Sequence, residues 1–208
     1  AFILKDAGAS ALITTTDLLP AAEAVGQSTG LKFIIAGRYS DYLPENPALP
    51  VPDPMLKTPA CPESCLEWNA LIAKQSPAPD VSVGPDDMCL LPYTSGSTGK
   101  PKGCIHTHRT VMANLVSAYY WLTNTASSVH LSVLPFFHVT GLIHSMLAPL
   151  FAGATLVLLT RWDRDAALTA IEKYRCTHWT NITTMVIDIL NHPEIGSRDV
   201  SSLMIIGG

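Results

Sequence analysis

Tyr93-Thr94-Ser95-Gly96-Ser97-Thr98-Gly99-Lys100-Pro101-Lys102-Gly103 decides how the chain is read. An apolar run, Met88 to Leu91, leads into it, and a helix-like stretch from about His108 to Leu122 follows. Between them lie small hydroxyl side chains, glycines and two lysines, with no carboxylate. Glycine lets backbone turn sharply and approach a ligand. Successive amides in such a turn form a concave donor array, to which hydroxyls and ammonium groups add. The pattern predicts a grip on phosphate.

Several phosphate and acyl chemistries are excluded by spacing. A Walker loop needs Gly, four residues, then Gly-Lys and Ser or Thr opening a helix. Here Thr94 and Ser95 occupy the region where the first glycine belongs, and Pro101 follows the lysine, pushing Lys100 out of helical dihedrals. The serine-hydrolase elbow fails because Ser95, not glycine, stands two before Ser97. A flexible Gly/Ser linker would not be preceded by an apolar strand and closed by Lys-Pro-Lys-Gly.

The eleven-residue stretch resembles the signature loop of the adenylate-forming superfamily: acyl-CoA synthetases, luciferases and peptide-synthetase adenylation domains. Two further pieces agree in order: Leu134-Pro135-Phe136-Phe137-His138-Val139-Thr140-Gly141 and Leu203-Met204-Ile205-Ile206-Gly207-Gly208. The resemblance implies an α/β fold, with parallel-rich sheets and helices on both faces. It also implies that 1–208 is part of a large N-terminal AMP-binding domain, and that the domain carrying a catalytic lysine is absent. It implies ATP, Mg2+ and coenzyme A as cofactors and a small-molecule carboxylic acid, medium or long-chain fatty, as substrate. The acid would become an acyl adenylate and then a thioester. Transfer to a carrier protein, or an inactive nucleotide-binding fragment, are the alternatives.

By the same resemblance, Thr94, Ser95, Gly96, Ser97, Thr98 and Gly99 hold nucleotide phosphates, with Lys100 and Lys102 steadying loop and pyrophosphate. Gly207 and Gly208 open a glycine-rich segment for adenine and the acyl carboxylate. His138 lies where the carboxylate meets its tunnel, with Thr140, Gly141 and Asn181 as substrate-binding candidates and Lys102 and His138 as catalytic ones. Ile143, Met146, Ile182 and Met185 are further wall candidates that core packing explains equally well. The family's Pro-Thr pair is Thr183-Thr184 here, which leaves the pocket floor open.

Composition agrees with an enzyme core. The 208 residues are 48% apolar and 14% charged, which describes a globular chain. A net charge of −4 without basic runs argues against nucleic acid. Five cysteines lack regular spacing, so reduced thiols in a cytoplasmic protein are expected, and Cys61/Cys65 without a second pair does not make a zinc site. Neither Cys104-x-His106-x-His108 nor the pair His138 and His144, six apart, has metal-ligand spacing, so no metal residues are assigned. His106 and His108 read as capping or packing residues, and His130, His178 and His192 carry no distinguishing signal. Leu142 to Leu159 is apolar but broken by His144, Pro149 and Gly153, so it reads as a buried helix and strand. Contact with a membrane surface is still allowed. The chain shows no signal peptide and opens and stops as a fragment would.

Element expectations run in order. Residues 1–36 give an αβαβ run: helix Ala1–Ala7 closed by Gly8, strand Ala11–Thr14, helix Leu18–Gln27 capped by Asp17, and buried strand Leu31–Ala36. A proline-rich surface excursion, 38–87, carries a helix over Glu63–Lys74. After the signature stretch come strand Gly103–His106, a helix capped by Thr107 or His108, strand Val129–Leu134 and strand Thr155–Leu159. Helix Asp163–Tyr174, strand Thr177–Asn181, helix Thr184–Asn191 and strand Leu203–Ile206 complete the chain.

Overall fold

The computed structural model describes residues 1–56, 58–95 and 99–207. In chain order the elements are α1 (Phe2–Asp6), β1 (Ala11–Thr15), α2 (Leu19–Gly26), β2 (Phe33–Gly37), α3 (Asp53–Leu56), β3 (Leu66–Glu67) and α4 (Trp68–Ala73). Then come β4 (Met88–Leu90), β5 (Tyr93–Thr94), β6 (Lys102–Gly103), β7 (His106–Thr107), α5 (His108–Trp121) and β8 (Val129–Ser132). The last are α6 (Ala148–Ala152), β9 (Thr155–Leu158), α7 (Arg164–Tyr174), β10 (His178–Thr180), α8 (Thr183–Leu190) and β11 (Ile205–Gly207). They form two compact units: Ala1–Val83 with Tyr93–Gly103, and Gly84–Pro92 with Cys104–Gly208.

The first unit is a parallel sheet in the order β1-β2-β3, with α2 packed on it through Leu19 and Ala22. Gly8 closes α1 with φ +60, the left-handed turn that glycine tolerates. Asp17 is not a cap, since Thr16–Leu18 winds as a 3-10 turn and α2 starts after it without a side-chain cap. Strand β2 is buried only at Ala36, while Phe33 is exposed, so the expected buried strand is one-sided. The helix expected over Glu63–Lys74 begins five residues late. Leu66 and Glu67 pair with β2 instead, and Glu67 caps α4 by accepting the Ala70 N–H at 2.8 Å. Within this unit β5 and β6 form an antiparallel pair, Tyr93 opposite Gly103 and Thr94 opposite Lys102. The Tyr93 hydroxyl donates to Asp6 at 2.6 Å, which raises the phenol's pKa above its usual value. Cys61 and Cys65 are joined as a disulfide, where reduced thiols were expected; the Cys65 N–H bond to Pro62 O turns the chain and brings the two Cα atoms to 6.6 Å.

The second unit is a four-stranded sheet, order β11-β10-β8-β9, every pairing parallel. Helical crossovers join successive strands, as parallel pairing requires. Thr107 is the cap of α5, accepting the Thr110 N–H at 3.3 Å, and Asp163 caps α7 through the Ala166 N–H at 2.8 Å. One face of α5 (Val111, Leu115, Ala118) packs with Ile143 and Ala148 as an apolar core. Helix α7 buries Ala166, Ala167, Leu168, Ala170 and Ile171; the apolar spacing of Ala167, Leu168 and Ile171 in the sequence marks that side. Its other side is tied down by Arg198, which donates to both Glu172 carboxylate oxygens at 2.7 and 2.8 Å. The apolar run after Pro135 is a π-helix, Gly141–Leu147, continued by α6 and stopped by left-handed Gly153. No helix among the described residues is long and apolar enough to cross a membrane.

Candidate functional site

The second unit contains a cavity of about 760 Å³. The C-terminal half of α5 forms one wall, with Asn114, Ser117 and Trp121. The sheet forms the opposite wall through His130 of β8, His178 and Thr180 of β10, and Ile205 and Gly207 of β11. His178 and Thr180 are two apart and share a face, as do Ile205 and Gly207, and Trp179 between the first two also borders the cavity. Thr140 and His144 close the space from the π-helix. A second cavity of about 110 Å³ shares Asn114, Thr140 and His144 with it and reaches His106.

The sheet wall is built around two imidazoles. His130 and His178 are register partners on neighbouring strands and stack with ring centroids 4.5 Å apart. His178 is fully engaged: Nε2 donates to the Leu122 carbonyl at 2.8 Å, closing the end of α5, and Nδ1 meets the Thr177 hydroxyl at 2.8 Å. His130 is 2% exposed, and its Nε2 has no partner among the described residues. Burial, and secondarily the neighbouring His178, push its pKa down from 6.5 to about 4. His144 is half-buried, its Nδ1 also lacks a partner, and burial lowers its pKa.

The residues named from sequence fall as follows. Thr140 and Gly207 line the cavity. Gly141 is buried against the preceding turn: a Cβ there would meet the Pro135 carbonyl oxygen at 2.1 Å, so only glycine lets the π-helix start so close. His138 is exposed, one residue after Phe137, which is 92% exposed. Its Nδ1 accepts the Thr140 N–H at 3.3 Å, leaving the proton of a neutral ring on Nε2. Asn181 braces the end of β10: its N–H donates to Gly207 O at 2.9 Å and its side chain to Trp179 O at 3.0 Å. In the first unit, Thr94 and Lys102 are exposed on the β5–β6 pair and Ser95, Gly99 and Lys100 are exposed in the chain between the two strands, with Gly99 in the left-handed region at φ +82. Gly96, Ser97, Thr98 and Gly208 lie outside the described residues. His130 and His178 were missed, because nothing in one sequence announces which residues of two distant strands will stand side by side, and His144, on the π-helix, was weighed only as a metal ligand.

The family model "AMP-binding enzyme" matches residues 1–208. A 4-coumarate–CoA ligase of Oryza sativa subsp. japonica is 36% identical over 153 residues, covering 71% of this chain and 27% of its own. A feruloyl-CoA synthase of an Amycolatopsis species is 39% identical over 140 residues, 66% of this chain and 28% of its own. The solved structure of an anthranilate CoA ligase in complex with anthranoyl-AMP shares the fold, with a TM-score of 0.76 at 24% identity, over 99% of this chain and 37% of that one. The matched regions cover little more than a quarter of the length of these curated relatives. By motif, fold and family match together, the chain belongs to the AMP-binding enzymes, the adenylate-forming superfamily that its signature stretch resembles.

Proposed function

We propose that the full-length protein is an ATP-dependent acid–CoA ligase and that this chain is part of its N-terminal AMP-binding domain, with the catalytic-lysine domain elsewhere in the polypeptide. The carboxylate attacks the α-phosphorus of ATP, an acyl–phosphate bond forms and pyrophosphate leaves. The thiol of coenzyme A then attacks the acyl carbon, gives up its proton, and AMP departs. Most of the first barrier is charge and alignment. Thr94, Ser95, Gly96, Ser97, Thr98 and Gly99 would supply hydroxyl and amide donors, and Lys100 and Lys102 positive charge toward pyrophosphate. Gly207 and Gly208 would pass close to the adenylate, with His138 donating to the acyl carboxylate and Thr140, Gly141 and Asn181 shaping its entry. Among the described residues no group of three His, Cys, Asp or Glu side chains could hold a metal ion. Mg2+, a hard cation, would come with the phosphate oxygens of ATP. A cytoplasmic setting, where ATP and coenzyme A are supplied, fits this reading.

The observation that carries the proposal is the signature stretch in a chain whose whole length matches the family. For the acid, two skeletons compete. The sequence resemblance favours a medium or long-chain fatty acid, while relatives named for 4-coumarate and ferulate act on ring-bearing acids. The flat imidazole stack in the cavity wall favours the ring. The test is exchange of pyrophosphate into ATP by the full-length protein with a panel of aryl and fatty acids, followed by thioester formation with free coenzyme A. Acid-dependent exchange is expected. Absence of exchange with every acid, or release of ADP, would overturn the reading; exchange without use of free coenzyme A would point to a carrier protein instead.

A further inference from the structure

We propose that His130 is a specificity-determining residue: it selects acids that carry a neutral hydrogen-bonding group, such as a hydroxyl, at the end remote from the carboxylate. This rests on the acid–CoA ligase reading and deepens it. In an open parallel sheet, ligand chemistry gathers outside the carboxyl ends of the strands. Here that edge is marked by Thr180 and Gly207, which pair across β10 and β11 and line the cavity. His178 and Ile205 pair two residues back, and His130 stands beside His178. Two residues of strand are about 7 Å. The imidazole stack thus lies about 7 Å deeper than the edge, the reach of a substituted ring or a short chain.

The two histidines differ in what they have left to offer. Both nitrogens of His178 are committed, to Leu122 and Thr177, so it supports the wall. His130 is as deeply buried, yet among the described residues its Nε2 has no partner, and neither has Nδ1 of His144, which also borders the cavity. Buried polar atoms are nearly always hydrogen-bonded, and the exceptions call for an explanation. A neutral imidazole offers one donor and one acceptor, and a half-turn about the Cβ–Cγ bond exchanges its two edges. A hydroxyl at the cavity's inner end can donate to one imidazole and accept from another. A methyl in its place would leave them unsatisfied, which is how a site built for a hydroxyl rejects the apolar analogue.

The test uses the full-length enzyme and matched acids: 4-hydroxycinnamate against 4-methylcinnamate, and an ω-hydroxy fatty acid against its ω-methyl counterpart. Acid-dependent pyrophosphate release gives kcat/KM for each. The wild type is expected to favour the hydroxylated member of at least one pair by about tenfold or more, and His130→Leu to bring that ratio near one. His130→Asn, which keeps a donor and an acceptor, is expected to retain part of the preference and guards against a folding defect in the leucine variant. Equal use of both members by the wild type, a preference for the methyl, or an undiminished preference in His130→Leu would each overturn the proposal. Those outcomes need active enzyme, so they differ from failure of the ligase reading, in which no acid releases pyrophosphate.

Discussion

Acidification tests the environment of His130 without any substrate. Its folded pKa is about 4 against 6.5 for a free histidine. Between those values the unfolded chain holds a proton that the native state refuses, so native stability is present above pH 6.5 and is lost as pH falls toward 4. For a group with these two constants, moving from pH 7.5 to 5.0 costs about 2 kcal/mol, and the full gap converts to about 3.4 kcal/mol below pH 4. In the intended assay, urea unfolding followed by fluorescence is run at both pH values on wild type and His130→Leu. Taking the difference between the proteins removes the contribution of the other histidines. Carboxylates held low by partners, such as Asp199 at about 2 beside Ser201 and Arg175, remain ionised at pH 5.0 and contribute little. The wild type should lose about 2 kcal/mol more than the variant on acidification, or roughly 4–8 °C in melting temperature for a chain of this size. Equal losses would mean that His130 protonates freely, and that the closed, unpartnered site does not exist.

Three other outcomes follow from the geometry. Gly141→Ala places a methyl 2.1 Å from the Pro135 carbonyl oxygen and should destabilise by about 3 kcal/mol or force the π-helix to shift, read as a fall in melting temperature and soluble yield. Lys102→Ala removes an exposed side chain, so the melting temperature should stay within about 2 °C, while acid-dependent pyrophosphate release in the full-length enzyme falls by about a hundredfold; wild-type turnover would remove Lys102 from the phosphate grip. Arg198→Ala breaks the bidentate bond to Glu172 and should cost about 1 kcal/mol at pH 7. Because Arg198 holds the Glu172 carboxyl below its usual range, that penalty should shrink as pH falls through the carboxylate range, and a constant penalty would show the effect to be packing alone.

How much of this was legible in the sequence depends on how far each determinant acts along the chain. Thr107 and Asp163 cap their helices through amides three residues on, and the stripe Ala167, Leu168, Ile171 repeats within two turns; such features are readable by local rules. Leu66 and Glu67 were misread because their extended conformation is set by pairing with Ile35 and Ala36, some thirty residues away, which overrides a helical pattern. The π-helix was equally hidden: the apolar run reads as helical, and nothing in its spacing distinguishes a π-helix from an α-helix, although the Pro135 carbonyl beside Gly141 leaves no room for a side chain there. The cavity extends this logic. Thr140 and Gly207 belong to motifs and could be named, whereas His130 and His178 lie 48 positions apart in β8 and β10 and acquire meaning only through register. Motifs therefore report the chemistry that every member of a family shares, held in short stretches of chain. Selectivity for one acid is assembled across strands, and for that reason the least conspicuous histidine in the sequence is the one on which the choice of substrate is proposed to rest.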